Sequence, residues 1–518
     1  MASPSQKLAD SLEALKELRN KGVVAIRSSD LSRTHRERLL KNGFLREVMK
    51  GWYVQRQPEQ AAGDSTSWYA SFWDFFAAYL NERFGADWCL SPEQSLCLHA
   101  GNWTVPRQLL VRTPKGGNKP AALPHDTSLF DVRAALPDTR VRQGLRGMRV
   151  YSLPAALVFA GPALFRANAI DARAALAMVR SASEVLPILL EGGRSVVAGR
   201  LAGAFRNIGR KTIADEIAGS MSAAGYVVRV EDPFEQSTPF ALAARELSPY
   251  LTRIRLMWHQ MREDVLINFP RSPRRSVAAA AYMKRVEEVY VTDAYHSLSI
   301  EGYRVSADLI ERVRSGAWSP DQNEDDARRR DALAARGYFD AFQAVKESVR
   351  RVLRGENPGD VADRAHSAWY RQLFAPSVTA GIIRPGDLAG YRDGLVYIRR
   401  SMHVPPPHEA VRDLMPALFE LLREENEPAV RVVLGHFVCV YVHPYFDGNG
   451  RMGRFLMNVM LAAGGYPWTV IPVERRSDYM AALEDASVRQ DIKAFAKFLG
   501  RLVRGGLEGK PGPKVPRS

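Results

Sequence analysis

The 518-residue sequence is poor in cysteine and in long apolar runs. Its three cysteines, Cys89, Cys97 and Cys439, form no CxxC pair, which argues against a disulfide framework and favours a reducing compartment. The apolar stretches VYSLPAALVFAGPALF and VVLGHFVCVYV are too short to span a bilayer. The N-terminal MASPSQKLAD lacks the apolar segment of a signal peptide. We therefore expect a cytoplasmic protein that does not contact a membrane.

Acidic residues are outnumbered by basic ones. The chain has 72 Lys+Arg against 57 Asp+Glu, a formal net charge of +15 and a pI near 9.7. This charge suits a polyanionic partner, such as nucleic acid or nucleotide phosphate, but also an ordinary basic surface. Because single hydrophobic cores stop growing near ~250–300 residues, the length predicts two or three domains.

Residues 1–60 show a pattern typical of a winged helix-turn-helix. Leucines at three- and four-residue steps predict an amphipathic first helix. GVVAI follows as a short strand, and the expected order is this helix, a short helix, a basic helix over 32–42 and a hairpin around Lys50-Gly51. The segment has 12 Lys+Arg against 7 Asp+Glu, which favours duplex DNA over a protein-interaction domain. The candidate DNA-contacting residues are Arg33, Arg36, Arg38, Lys41 and Lys50.

Residues 61–245 mix aromatic-rich and Ala-rich helices with short strands, which predicts a mixed α/β domain. LSPEQSLCLHAG followed by a short strand, after the winged-helix pattern, resembles the middle part of AbiEi-type antitoxins. This resemblance implies a toxin–antitoxin context. No catalytic constellation stands out in this region. Residues 506–518 have the composition of a disordered tail.

Residues 246–505 are predicted to be mostly helical and contain the stretch HPYFDGNGRMGR at 443–454. A proline after His443 disfavours helix there, so the stretch is a loop between two helices. Gly448 and Gly450 would lie at the N-terminus of the second helix, where unpaired backbone N–H groups bind anions. Arg451 and Arg454 project from one helical face and suit phosphate oxygens.

Two further residues of the stretch indicate transfer chemistry on a phosphate. Asp447 is a hard oxygen ligand suited to Mg²⁺, and His443 is placed to take a proton from an incoming hydroxyl. There is no GxxxxGK[ST], so the site is not a P-loop. The alternative, a Gly-Asn-Gly turn with surface charges, accounts for the glycines but not for the whole combination.

The stretch matches the signature HxFx[DE]GNGRxxR of the Fic (Fido) family, with Tyr445 where Phe is usual. The resemblance covers roughly residues 250–500 and implies an all-α domain with a β-hairpin flap, formed here by GYR at 390–392 and VYIRRSMHV. It implies transfer of AMP from ATP to a Tyr, Thr or Ser hydroxyl of a protein. In that reaction His443 is the general base and Asp447 holds Mg²⁺. The nucleotide would be bound by Asp447, Gly448, Asn449, Gly450, Arg451 and Arg454, with Tyr479 and Met480 lining the adenine pocket.

SLSIEG at 297–302 resembles the inhibitory motif of the same family, [ST]xxxE[GN], on a helix near 288–303. Ser297 and Glu301 lie four residues apart and therefore on one helical face. The resemblance implies that Glu301 pairs with Arg454 where the γ-phosphate would bind. The alternative is an ordinary glutamate before a helix-ending glycine.

The leading interpretation is an autoinhibited protein adenylyltransferase with a DNA-binding N-terminal module. Its partners would be ATP, duplex DNA and a protein substrate. The chain itself is one candidate for that substrate, and a homodimer is compatible with the sequence. Two alternatives remain open. The same site either handles another nucleotide or removes AMP, or the protein is a transcription regulator that senses nucleotide without transfer.

Overall fold

The computed structural model describes residues 3–56, 58, 64–234, 248–273, 278–317, 330–388 and 390–516. The chain divides into two compact units. The first comprises Met1–Arg253 and Tyr397–Val404, and the second comprises Ile254–Val396 and Pro405–Ser518. The two N-terminal domains predicted at 1–60 and 61–245 thus share one unit, and the predicted boundary at 245 and 246 lies outside the described residues.

The N-terminal part of the first unit has the order helix, strand, helix, hairpin. Its elements are α1 (Pro4–Asn20), β1 (Ile26–Arg27), α2 (Arg33–Lys41), β2 (Leu45–Met49) and β3 (Trp52–Gln55), and the strands form an antiparallel sheet in the order β1-β3-β2.

The short helix expected between α1 and the basic helix is absent from residues 21–32, so that prediction was wrong. Two local interactions explain the difference. Gly22, at φ 73°, ends α1 in the left-handed conformation. The Asp30 carboxylate accepts a hydrogen bond from the backbone N–H of Arg27 (2.8 Å) and from its side chain, which fixes a turn in place of a helix.

The hairpin β2–β3 contributes to two apolar clusters of the first unit. Leu45 and Tyr53 pack with the N-terminal helices. Val48 and Val54 pack into a larger cluster with the aromatic residues of α3 (Thr66–Phe84). Residues 1–60 therefore have a small apolar cluster of their own, and their hairpin also packs into the core of the following region.

The remainder of the first unit combines helices with two small sheets. One sheet has the order β4-β5-β7-β6, with β5 and β7 parallel, and β8 and β9 form an antiparallel pair. The strands are β4 (Cys89–Leu90), β5 (Gln108–Thr113), β6 (Pro120–Ala122), β7 (Ser128–Arg133), β8 (Arg142–Leu145) and β9 (Met148–Tyr151). The helices are α4 (Pro92–His99), α5 (Leu153–Phe159), α6 (Pro162–Ala167), α7 (Ala169–Met178), α8 (Leu186–Glu191), α9 (Ser195–Asn207) and α10 (Lys211–Ala223).

The segment Tyr397–Val404 belongs to the first unit although it lies late in the sequence. The Asp64 carboxylate accepts a hydrogen bond from Arg399 Nε (3.0 Å), and the Met402 carbonyl accepts one from the backbone N–H of Val105 (2.9 Å). The predicted β-hairpin is not formed: the described residues 390–407 contain a turn but no strand. The Met402 carbonyl already accepts a hydrogen bond from Val105. Pro405, Pro406 and Pro407 have no backbone N–H to donate to a neighbouring strand.

The second unit is helical. Its helices are α11 (Pro249–Asn268), which begins in the first unit, α12 (Ala279–Ile300), α13 (Ala307–Ser315), α14 (Arg330–Leu353), α15 (Pro358–Thr379), α16 (His408–Glu424), α17 (Pro428–Val442), α18 (Asn449–Ala463), α19 (Arg476–Val488) and α20 (Lys493–Leu507). Helices α17 and α18 are buried along nearly all of their length. Residues 510–516, in the predicted tail, form neither helix nor strand. Among the described residues, no helix combines the length and apolar character needed to cross a bilayer.

Candidate active site

The stretch 443–454 connects α17 to α18, as the sequence predicted. Helix α17 ends at His443, which has left-handed dihedrals of φ 53° and ψ 60°. Helix α18 begins after Gly448, at φ 80°. A Cβ on Gly448 would lie 2.8 Å from the ring of Phe374, so backbone conformation and packing both require glycine at this position.

The loop is fastened from inside by Tyr445 and Asn449. The Tyr445 ring is buried and stacks on Tyr370, with centroids 3.8 Å apart. The Asn449 side chain accepts a hydrogen bond from the Tyr445 backbone N–H (2.9 Å) and donates one to its carbonyl (2.8 Å). Both ends of the Asn449 amide are thus engaged. The amide supports the loop, and the predicted contact of Asn449 with phosphate stays a prediction.

His443 presents one ring nitrogen as a base. Its Nδ1 lies 3.2 Å from the Val440 carbonyl. Because a carbonyl only accepts, Nδ1 carries the proton in this contact and Nε2 keeps its lone pair. Burial lowers the pKa of His443 to about 4, so the imidazole is neutral at pH 7. A neutral, half-buried imidazole with one oriented lone pair can take a proton from a hydroxyl.

Asp447 is the exposed carboxylate of the loop. Its Oδ1 accepts a hydrogen bond from Gly448 N–H (2.6 Å), and its Oδ2 lies 3.4 Å from Arg451 Nη2. No cluster of three or more metal-binding side chains occurs in the described part of the chain. One exposed carboxylate beside a helix N-terminus fits a Mg²⁺ ion that takes its other oxygens from substrate phosphates and water.

Arg451 is buried between two aromatic rings. Its guanidinium lies 5.0 Å from the centroid of Phe374 and 5.1 Å from that of Tyr303, and the residue is 1% exposed. Within the described chain, its Nε and Nη2 have no hydrogen-bond partner. Buried donors without partners are costly, so these two groups are suited to an anion that would complete them.

Arg454 is held by both residues of the SLSIEG motif. Its Nε donates to Ser297 Oγ (2.8 Å), and its Nη2 donates to the Ser297 carbonyl (3.0 Å) and to Glu301 Oε1 (2.7 Å). Burial alone would lower the pKa of Arg454, but the Glu301 carboxylate outweighs it and raises that pKa. The predicted pair between Glu301 and Arg454 is therefore present in the structure.

Glu301 also reaches the N-terminus of α18. A Cβ on Gly450 would lie 2.3 Å from Glu301 Oε1. The carboxylate thus rests against the glycine backbone at the end of the helix that favours anions. Glu301 itself follows the last residue of α12, and Gly302 at φ 90° ends that helix. The Glu301 carboxylate therefore lies where the sequence predicts that Gly450 and Arg454 bind a nucleotide phosphate.

Tyr479, which the resemblance places in the adenine pocket, is 1% exposed and packs against Phe495 and Phe498 of α20. Its hydroxyl lies 2.8 Å from His436 Nε2, and the residue also interacts with Arg454 of the site. Its role in adenine binding stays a prediction. Met480 is half-buried on α19.

Arg392, which the sequence assigned only to the flap, contacts the backbone at the base His443. Its Nε donates to the His443 carbonyl (2.8 Å), and its backbone N–H donates to the Pro444 carbonyl (2.9 Å). It lies 51 residues before His443 in the sequence, and nothing in GYR at 390–392 indicates these partners.

The candidate DNA-contacting residues lie on α2 and the hairpin of the first unit, but several arginines are engaged there. Arg33 pairs with Glu37 (2.7 Å), Arg36 donates to the Ser28 carbonyl (2.7 Å), and Arg38 donates to the Lys7 carbonyl (2.5 Å). Lys41 and Lys50 are exposed. The basic character of α2 thus serves internal contacts to a larger extent than the sequence predicted.

The loop, the base His443 and the two arginines form a site for a reaction at a phosphate, and comparisons with known proteins point to one family. Residues 365–461 match the model of the Fic/DOC family. Among curated proteins, the chain is 37% identical over 229 residues to protein adenylyltransferase Fic of Nematostella vectensis, covering 43% of this chain and 49% of the relative. It is 27% identical over 230 residues to protein adenylyltransferase fic-1 of Caenorhabditis elegans, covering 43% and 41%. The chain thus spans less than half the length of these relatives.

Solved structures give weaker similarities. Fic-1 (aa134 - 508) from C. elegans is 18% identical, with a TM-score of 0.38 over 63% of this chain and 92% of that one. A Fic family protein from Desulfovibrio desulfuricans G20 is 20% identical, with a TM-score of 0.34 over 53% and 77%. TM-scores this low carry no argument about the overall fold.

Proposed function

We propose that this chain is an autoinhibited protein adenylyltransferase, which transfers AMP from ATP to a Tyr, Thr or Ser hydroxyl of a protein. The observation that carries the proposal is the position of Glu301. Its carboxylate contacts Gly450 and Arg454, and these two residues belong to the same twelve-residue stretch as His443. An anion site and a base on one twelve-residue loop suit a reaction between a phosphate and a hydroxyl.

In the proposed reaction the target oxygen attacks the α-phosphorus of ATP. A new P–O bond forms, the bond from the α-phosphorus to the bridging oxygen breaks, and pyrophosphate leaves. The hydroxyl proton passes to Nε2 of His443. Backbone N–H groups near Gly450 and the guanidinium groups of Arg451 and Arg454 bind the phosphate oxygens. Asp447 would hold Mg²⁺, which neutralises charge on the phosphates when it is bound.

Inhibition follows from the same contacts. With Glu301 on Arg454, the γ-phosphate has no cation to bind, and the α-phosphate is displaced from alignment with the incoming hydroxyl. A misplacement of about 1 Å can reduce the rate ~10²-fold. Charge-assisted pairs such as Glu301–Arg454 are stronger than neutral hydrogen bonds, so the inhibited arrangement is the resting one.

The proposal is tested by removing the carboxylate. The Glu301→Gly chain is incubated with Mg²⁺ and ATP, and then with each other nucleotide in turn, and intact-mass spectrometry measures a nucleotide adduct on the chain or on an added target protein. We expect transfer of AMP to rise by about 10²-fold over the original chain. Glu301→Gln, which keeps the size but not the charge, should activate as well.

The double variant Glu301→Gly, His443→Ala is the control for a contaminating activity and should give no adduct. Three outcomes contradict the proposal. An adduct from another nucleotide alone assigns a different donor, and loss of AMP from a modified target assigns the reverse reaction. Nucleotide binding without any adduct identifies a sensor, which is the regulator alternative.

A further inference from the structure

The guanidinium of Arg392 is buried and surrounded by carbonyl groups. The residue is 4% exposed. Its Nε donates to His443 O (2.8 Å) and its Nη1 to Gly394 O (2.9 Å), while Nη2 donates to Pro406 O and lies 3.4 Å from Val442 O. Burial lowers the pKa of Arg392 to about 10, so the group remains a cation at pH 7.

Two of these contacts, together with one from the backbone N–H of Arg392, fix the backbone on which the base stands. The guanidinium and backbone N–H of Arg392 together take the carbonyls of Val442, His443 and Pro444. His443 has left-handed dihedrals, which are unfavourable for a non-glycine residue and persist only when neighbouring groups impose them. The last carbonyls of α17 also lack helical partners, and a cation there is favourable.

The other two contacts of the guanidinium hold the backbone on either side of the segment predicted as the flap. Gly394 and Pro406 stand on either side of the turn at Ile398–Ser401, and their carbonyls meet at one guanidinium. One side chain therefore joins the two ends of this segment to the residue that would take the proton. A planar group with five donors can serve several carbonyls at once, and an ammonium cannot.

We propose that Arg392 is a positioning residue, which fixes the imidazole of His443 relative to Gly394 and Pro406, the residues that flank the segment predicted as the flap. The inference rests on the proposed function. Arg392 does not touch the reacting atoms. Its effect on the transfer rate is expected to come from the orientation of His443, and nucleotide binding, which uses the other end of the loop, should not depend on it.

The test compares Arg392→Lys and Arg392→Met in the Glu301→Gly chain. We expect kcat for transfer to a protein hydroxyl to fall about 10²-fold in both variants, because lysine keeps the charge but cannot hold the four carbonyls. KM for ATP should stay within twofold. Preserved kcat, or equal losses in kcat and ATP affinity, would overturn the proposal.

Arg431→Lys and Arg431→Met are the matched controls. Arg431 is a half-buried arginine on α17 whose Nε donates to the Glu425 carbonyl, and burial lowers its pKa as it does for Arg392. Their kcat should not change. If they lose as much kcat as the Arg392 variants, the effect is general destabilisation and the proposal fails.

A measurement without turnover separates this inference from the proposed function. The ¹⁵N shifts of the His443 imidazole, assigned by the signals lost in His443→Ala, should show the Nδ1–H tautomer in the parent chain. Both Arg392 variants should show a mixture of tautomers. An unchanged tautomer would refute the positioning role whatever reaction the site performs, and a parent that transfers no AMP would refute only the proposed function.

Discussion

Arginines in the two units of this chain are used in opposite ways. In the first unit, Arg36 and Arg38 lie on a basic surface helix, but their guanidinium groups are bound to backbone carbonyls. In the second unit, Arg451 and Arg454 are buried, yet Arg451 Nε and Arg454 Nη1 have no hydrogen-bond partner among the described residues. Arg451 Nη2 lies 3.4 Å from the exposed carboxylate of Asp447. A cluster of positive charge in a sequence therefore says little about ligands. Buried donors that the protein leaves incomplete indicate an anion more directly.

The strongest test of the second unit is removal of its base. In the Glu301→Gly chain, His443→Ala should lower transfer by about 10²–10⁴-fold, because no other group takes the proton of the hydroxyl. The ATP dissociation constant, measured by calorimetry, should change less than twofold, since the base does not hold phosphates. His408→Ala, at the start of α16, is the control and should keep the rate. Transfer within a few-fold of the parent would remove His443 from the mechanism.

A medium effect is expected where an arginine of the first unit is paired with a carboxylate. Burial would raise the pKa of Asp64, but hydrogen bonds from Thr66 and Arg399 lower it from 3.8 to about 2. The pair should add about 2 kcal/mol to the free energy of unfolding at pH 7. Because the folded pKa is the lower one, this contribution is complete above pH ~4 and disappears as the pH falls towards 2.

Urea unfolding followed by tryptophan fluorescence checks this prediction. Asp64→Asn should lower the stability of the transition reported by Trp68 and Trp73, which pack in the same unit. The difference from the original chain should shrink as the pH is lowered from 5 to 3. Asp138→Asn, an exposed carboxylate that pairs with Arg140, should have little effect. Equal stabilities at pH 7 would show that Arg399 and Asp64 contribute nothing to the unit.

The smallest expected effect concerns DNA, which remains a prediction for the first unit. If α2 and the hairpin contact phosphates, the exposed Lys41 and Lys50 are the groups available to do so. Changing both to alanine in the full chain should weaken binding a few-fold and reduce the slope of log affinity against log salt by about two.

Lys16→Ala on α1, where the lysine pairs with Glu13, is the matched control and should leave the slope unchanged. Arg38→Met, by contrast, should destabilise the contact between α2 and α1. Binding that does not respond to salt, or no binding at low salt, would favour a protein-interaction domain. The basic residues of α2 would then bind no anion at all, unlike the arginines proposed to bind phosphate in the second unit.

The parts of the site that the sequence predicted are those whose geometry is local. His443, Gly448, Gly450 and Arg454 lie on one loop and one helix turn, so their spacing alone places them together. Ser297 and Glu301 lie on one face of α12 for the same reason. The resemblance to a known family supplied the one distant contact that was correct, between Glu301 and Arg454.

The parts that the sequence did not predict depend on partners far away in the chain. Arg392 acquires its role only when α17 ends beside it, and Tyr479 is buried only because α20 covers it. The hairpin was predicted from a β-type run, but Met402 gives its carbonyl to Val105, 297 residues earlier in the sequence. Propensity and spacing contain no information about such contacts.

The contact between Glu301 and Arg454 has a consequence for how the chain would respond to nucleotide. On the proposed function, the carboxylate at the end of α12 is a tethered competitor of the γ-phosphate, and its effective concentration is set by the helix and not by the solution. ATP would bind in the aligned, productive arrangement only in the fraction of molecules in which the tethered group has left Arg454, so its apparent affinity for that arrangement is lower in proportion. A change that loosens the attachment of α12 would therefore shift the ATP concentration at which the chain responds, without altering any atom that contacts the nucleotide.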